Sequence, residues 1–136
     1  MTTKDASEDG STDWRKLREF AAVDLSRSFV LSWDVASETL MIDVDLFLTP
    51  EHPFYEKPRP AQKACIRPAV IEFPYCESVI ADRVPATAEP TAAARALGLG
   101  AIQGFRRLAD GRNEISGEFG VVVIDAERPI MRLKSP

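Results

Sequence analysis

The chain has little of what builds most catalytic and metal centres. Among its 136 residues are one histidine, two cysteines and two tyrosines. Two cysteines and one histidine cannot close a four-ligand zinc site from soft ligands alone, and so scarce a histidine supply argues against any transition metal. No CxxC or other ligand spacing joins Cys65 to Cys76. A strand over residues 65–73 would hold these thiols roughly 30 Å apart along it, whereas a disulfide spans about 6 Å between Cα atoms. Both are expected as reduced thiols in a reducing, cytoplasmic compartment.

Long hydrophobic runs are also missing. The longest aliphatic run is VVVI at 121–124, far short of the ~20 residues of a membrane helix. The opening MTTKDASEDGSTDW lacks the apolar segment of a secretory signal, so no membrane partner is expected. There is no basic excess either. The net charge is −4 and the pI about 5.1, which argues against a surface made to neutralise phosphates and against a nucleic-acid partner. Arg106 and Arg107 are adjacent, but strand neighbours point to opposite faces. The glycine pairs in GLG and GEFG lack the helix and lysine of a phosphate cradle, and Ser32 and Ser116 lie in no nucleophile elbow.

What remains is ordinary globular material. The length suits one domain, which buries roughly two-thirds of its unfolded surface and needs no disulfide or metal to hold a core. Residues 1–11 are polar and acidic without periodicity, and are expected as a disordered tail ahead of a single β domain over 12–136. STDWRKLREFAAV predicts a short helix capped by Ser11 or Thr12, with Trp14, Leu17 and Ala21 on one stripe.

The clearest pattern is RSFVLSWDVASETLMIDVDLFL. Phe29, Leu31, Trp33 and Val35 alternate with Ser28, Val30, Ser32 and Asp34. Leu40, Ile42, Val44, Leu46 and Leu48 alternate with Met41, Asp43, Asp45 and Phe47. Period two predicts a half-buried antiparallel hairpin around a four-residue loop, ASET, at 36–39. Pairing Val35 with Leu40 sets Trp33 against Ile42, Leu31 against Val44 and Phe29 against Leu46, all on one apolar face. Ser32 then faces Asp43, and Val30 faces Asp45.

Farther on, Ala69, Ile71 and Phe73 predict a strand that is at an edge or begins near Pro68, because proline lacks a ladder donor. The alanine-rich residues 86–97 fit a short helix with Pro90 near its start and Gly98 after its end, or equally an irregular connection. The C-terminal third reads as a meander ending in IMRLK, and Gly117 and Gly120 predict a bulge or sharp bend. With no repeat and no βαβ alternation, the fold expected is a single-domain antiparallel β-sandwich or small curled barrel of about six strands with one or two short helices.

Candidate chemistry centres on LTPEHPFYEKPRP, residues 48–60. His52 is a general base or ligand by type, and Glu51, Tyr55, Glu56, Lys57 and Arg59 surround it. Local spacing provides no orienting partner for a histidine catalyst. The prolines at 50, 53, 58 and 60 favour a structural role, a stiff loop plugged to the core by Phe54 and Tyr55. Cys65, at the other end of the loop, is a candidate nucleophile with His52, though a small buried Cys is the commoner role. Asp34, Asp43 and Asp45 share the polar face of the hairpin, and Asp43 and Asp45, about 7 Å apart along a strand, are close enough to share Mg²⁺ or Ca²⁺. No calcium-loop motif accompanies them, so no metal or cofactor is expected.

The leading expectation is a non-catalytic interaction domain of adaptor or immunity-like type. It would bind a protein partner, or another copy of itself, through a sheet edge or through Glu51, His52, Tyr55, Glu56 and Arg59. A homodimer is expected beside residues 69–76, supported by Val70, Glu72 and Tyr75. The alternatives are a small-ligand barrel with an apolar pocket and an enzyme using His52 with Asp43, Asp45 or Cys65.

Overall fold

A computed structural model describes residues 10–61, 64–82, 84–85 and 87–134. The tail expected over 1–11 lies outside the described residues up to residue 9, and Ser11 at its end is buried. In chain order the strands are β1 (Thr12–Asp13), β2 (Val23–Ala36), β3 (Thr39–Leu48), β4 (Cys65–Phe73), β5 (Ser78–Ala81), β6 (Gly100–Arg107), β7 (Asn113–Gly117), β8 (Gly120–Asp125) and β9 (Ile130–Leu133). One helix, α1 (Pro90–Ala96), lies between β5 and β6. All strand pairs are antiparallel, in the order β5-β8-β7-β6-β2-β3-β4-β9, with β1 beside β6.

The sheet does not close; it folds over on itself as a sandwich-like domain. β6 makes the corner, because Gly100 and Ala101 pair with β2 while Ile102 to Arg107 pair with β7. Across the interior, Phe73 of β4 stacks on Phe105 of β6 with ring centroids 6.1 Å apart, and Phe20 meets Phe105 edge-on at 4.8 Å. Leu40, Ile42, Val44, Leu46 and Leu48 of β3 are all buried against this centre, as the alternation required.

The β2–β3 hairpin follows the predicted register only in its upper half. Val35 faces Leu40, Trp33 faces Ile42 and Ser32 faces Asp43. The turn has two residues rather than four: Ser37 and Glu38 take φ of 51° and 65°, the left-handed pair that matches the twist of a hairpin. Below Ser32 the pairing shifts, so that Val30 faces Val44 and Phe29 faces Asp45. One extra residue, Leu31, forms a β-bulge and inverts the faces of β2. Val30 and Ser28 are buried, while Phe29 and Leu31 are 44% and 47% exposed, against the expectation that both face inward.

A second irregularity sits between Asp24 and Phe29. The Ser28 hydroxyl donates to the Asp24 carbonyl at 2.8 Å and accepts from the Phe47 N–H at 3.0 Å. The Asp24 carboxylate accepts from the Ser26 N–H and hydroxyl at 3.1 and 2.6 Å. These bonds satisfy the polar groups that the broken ladder leaves over.

Other expectations are corrected in detail. The helix predicted from residue 12 is instead β1 and two 3₁₀ turns, Trp14–Lys16 and Arg18–Phe20, separated by an extended Leu17. Asp13 caps the first turn, its carboxylate accepting from the Arg15 N–H at 3.1 Å, and the break lets both Trp14 and Phe20 reach the core. Within the stretch expected as helix or connection, α1 forms over Pro90–Ala96: it packs Ala93 and Ala94 inward with Pro90 in its first turn. Gly98 does not cap it in a left-handed conformation; its carbonyl accepts from the Trp33 indole N–H at 2.7 Å. Gly117 and Gly120 flank a hairpin turn, the sharp bend expected, and the register of β6 shifts beside Gly117 between Ile102 and Gly104. A Cβ at Gly117 would stand 2.2 Å from the Ala101 carbonyl oxygen, so only glycine fits there.

Nor is β4 an edge at residues 69–72. It pairs with β3 along its whole length, and β9 covers its other side from Ala69 to Glu72. Pro68 is tolerated because it presents only its carbonyl to β9, accepting from the Lys134 N–H at 2.9 Å. The final strand, β9, ends the sheet as expected, and the opposite end is β5.

Candidate binding cleft

The loop after β3 is ordered by its own hydrogen bonds. The His52 N–H donates to the Thr49 carbonyl and the Tyr55 N–H to the His52 carbonyl, each at 3.0 Å. His52 Nδ1 accepts from the Phe54 N–H at 3.1 Å. Burial, and then the nearby Arg67 charge, lower the pKa of His52, which keeps its ring neutral. Tyr55 packs against the core, but Phe54 is 60% exposed, so one of the two expected plugs is outside.

Side chains that cluster in sequence here are dispersed in space. Glu51 turns to a shallow groove with Trp14 and Phe20. His52 and Phe54 share a separate depression with Glu19, Met131 and Leu133. Glu56, Arg59 and Cys65 line a third cleft that His52 does not. Asp43 is occupied elsewhere: it accepts from the Ser32 hydroxyl and from Lys134 Nζ, both at 2.7 Å. Burial raises its pKa, yet those two bonds and the Lys134 charge leave it lowered overall. Asp45 lies opposite Phe29 on one side and Pro68 on the other. Among the described residues no three His, Cys, Asp or Glu side chains gather as a metal site.

The third cleft has a volume of about 610 Å³ and combines apolar and cationic walls. Phe47 and Ile66 are cross-strand neighbours on the outer face of β3 and β4, and Phe29 joins them from β2. Ile66 is 48% exposed. The Arg27 guanidinium lies over the Phe47 ring at 5.2 Å, and the loop contributes Glu56, Lys57 and Arg59, with Ala64, Cys65 and Arg67 from its far end. Sequence reasoning named Glu56, Arg59 and Cys65 as site residues but missed Arg27, Phe29, Phe47, Ile66 and Arg67. A signal for one of them was present: Phe47 is an aromatic on the face that also carries Asp43 and Asp45.

The expected interface residues are also placed. Val70 is half-buried opposite Arg132, and the Glu72 carboxylate accepts from Arg132 Nε at 2.7 Å. Tyr75 is 68% exposed just ahead of β5. The two ends of the sheet differ in chemistry: β9 carries Arg132 with Lys134 beside it, whereas β5 reads SVIA and has no charge. No protein-family model matches the chain, and no curated protein or solved structure gives a significant match to it.

Proposed function

We propose that the protein is a non-catalytic interaction module that binds a protein partner through the Phe29–Phe47–Ile66 cleft, as an adaptor or immunity-like blocking domain does. The observation that carries this reading is that Phe29 and Ile66 stay nearly half exposed in a walled cleft while the interior is filled. Large apolar side chains concentrated at one surface site are typical of binding anchors. An enzyme built on His52 has less support, because Nδ1 already accepts a backbone bond and neither Cys65 nor an aspartate shares its depression. A barrel with an apolar pocket is less favoured too: the sheet is open, and Phe20, Phe73 and Phe105 fill its middle. Peptide display against the wild-type protein tests the reading. Selected peptides should lose about tenfold or more in affinity with Phe29→Asp or Ile66→Asp, each variant keeping its urea midpoint. Selection of no peptide, or of peptides indifferent to both changes, refutes it.

Self-association is proposed through β5 rather than beside residues 69–72, which β9 covers. The turn at Gly117–Gly120 leaves Val123 and Asp125 facing β5, where they pair with Ile80 and Ser78, so by alternation Val79 and Ala81 direct their backbone groups away from β8. Ile80 and, on β8, Val121 are exposed near that edge, and β5 itself carries no charge. Light scattering at micromolar concentration should give twice 15.0 kDa, and Ile80→Lys should return the monomer. A monomeric wild type overturns the proposal.

A further inference from the structure

Resting on the reading of the cleft as a protein-binding site, we infer that its partner is an acidic segment: aspartates or glutamates flanking one large apolar side chain. The charge inventory carries the inference. The chain holds 17 basic and 21 acidic side chains, yet the cleft is lined by Arg27, Lys57, Arg59 and Arg67 against Glu56 alone. An acidic protein has placed four cations around one opening. Among the described residues Lys57 and Arg67 have no carboxylate partner, and Arg27 reaches Asp24 only at 3.6 Å with its side chain 67% exposed.

Cations gathered around one opening repel one another. An incoming carboxylate relieves that repulsion, steers encounter and fixes register. The apolar residue of the segment fills the space between Phe29, Phe47 and Ile66, where Arg27 lies on the Phe47 ring. A single-stranded nucleic acid would share the attraction to cations and aromatic rings. It is disfavoured because the cations surround one pocket instead of lining a track.

Fluorescence anisotropy on the full chain separates the cases. The probes are a labelled peptide with a single phenylalanine between runs of glutamate, the same peptide with glutamines, and an oligothymidylate of about 12 nucleotides. The glutamate peptide should bind, weaken as salt rises, and lose about tenfold in Lys57→Glu and again in Arg67→Glu, with urea midpoints showing both variants folded. Equal affinity for the glutamine peptide overturns the acidic partner but leaves the cleft reading standing. Tighter binding of the oligonucleotide, or binding of neither peptide, also overturns it, whereas the cleft reading itself falls if display selects no peptide or selects peptides that ignore Phe29 and Ile66.

Discussion

Replacing Trp33 by alanine tests the hairpin and its bulge together. Trp33 is 8% exposed, its indole N–H donates to the Gly98 carbonyl at 2.7 Å, and its ring meets Phe119 edge-on at 5.3 Å. Removing a large buried aromatic costs about 3–5 kcal/mol. Losing the hydrogen bond adds little, because Gly98 is exposed and water can replace the indole. With a urea m-value of about 1.5 kcal/mol/M, the midpoint should fall by roughly 2–3 M. Trp33→Phe keeps much of the apolar contact and should cost only about 1–2 kcal/mol. Phe29→Ala is the internal control. Simple alternation puts Phe29 on the same inward face as Trp33, but the bulge at Leu31 turns it outward, so its loss should cost under about 1 kcal/mol. Equal falls for Trp33→Ala and Phe29→Ala, or a Trp33→Ala midpoint within about 0.3 M of the parent, would show that the bulge is misassigned.

Acid should weaken the Glu19–Arg107 ion pair, closed at 3.2 Å with both side chains largely buried. Burial raises the Glu19 pKa, but hydrogen bonds from the backbone and Arg107 and the charges of Arg107 and Arg128 leave it below the usual 4.5. Its stabilisation is therefore full above pH 4.5 and lost as pH falls through the lower folded value. Glu19→Gln should cost about 1–3 kcal/mol at pH 7, with the gap to wild type closing below pH 4.5; a gap independent of pH refutes this. The Cys76 thiol is pushed up to about 11 by burial and by Asp125, so in Cys65→Ser it should resist iodoacetamide at pH 8 until the protein unfolds. Glu38→Gly relieves a positive φ without touching the carbonyl that accepts from the Cys76 N–H, and thermal melts should show about 1 kcal/mol of added stability.

How much was legible depended on whether a signal was local. β3 read correctly throughout because Leu40 to Leu48 alternate strictly and its turn fixes the register. β2 did not, because Phe29, Val30 and Leu31 are consecutive apolar residues, and either parity buries something apolar. Sequence cannot choose between them; β6 does, by pairing Phe29 and Val30 with Ala101 and Gly100. The same limit hid the hairpin at Gly117–Gly120, where the decisive fact is the distant Ala101 carbonyl. At residues 12–20 the spacing of Trp14 and Leu17 suits a helix, but Thr12 and Asp13 are claimed by β6, and tertiary pairing overrides a weak local preference.

The cleft shows why the site was less legible than the fold. Its loop residues, Glu56 and Arg59, stood out as polar groups in a proline-rich stretch, but its apolar residues looked like core. Phe29 reaches the outer face only because Leu31 inserts a residue, and Arg27 reaches Phe47 only because Ser28 bonds both Asp24 and Phe47 across the second irregularity. An uninterrupted β2 would direct Phe29 into the core opposite Leu46, leaving Phe47 and Ile66 without their third wall. The two bulges are therefore what convert an ordinary sheet face into a recessed, cationic one. Bulges gather at functional positions because they re-aim side chains, and here they re-aim an arginine and a phenylalanine toward the same opening. Ser28, fully buried and bonded on both sides, is the residue on which that geometry turns.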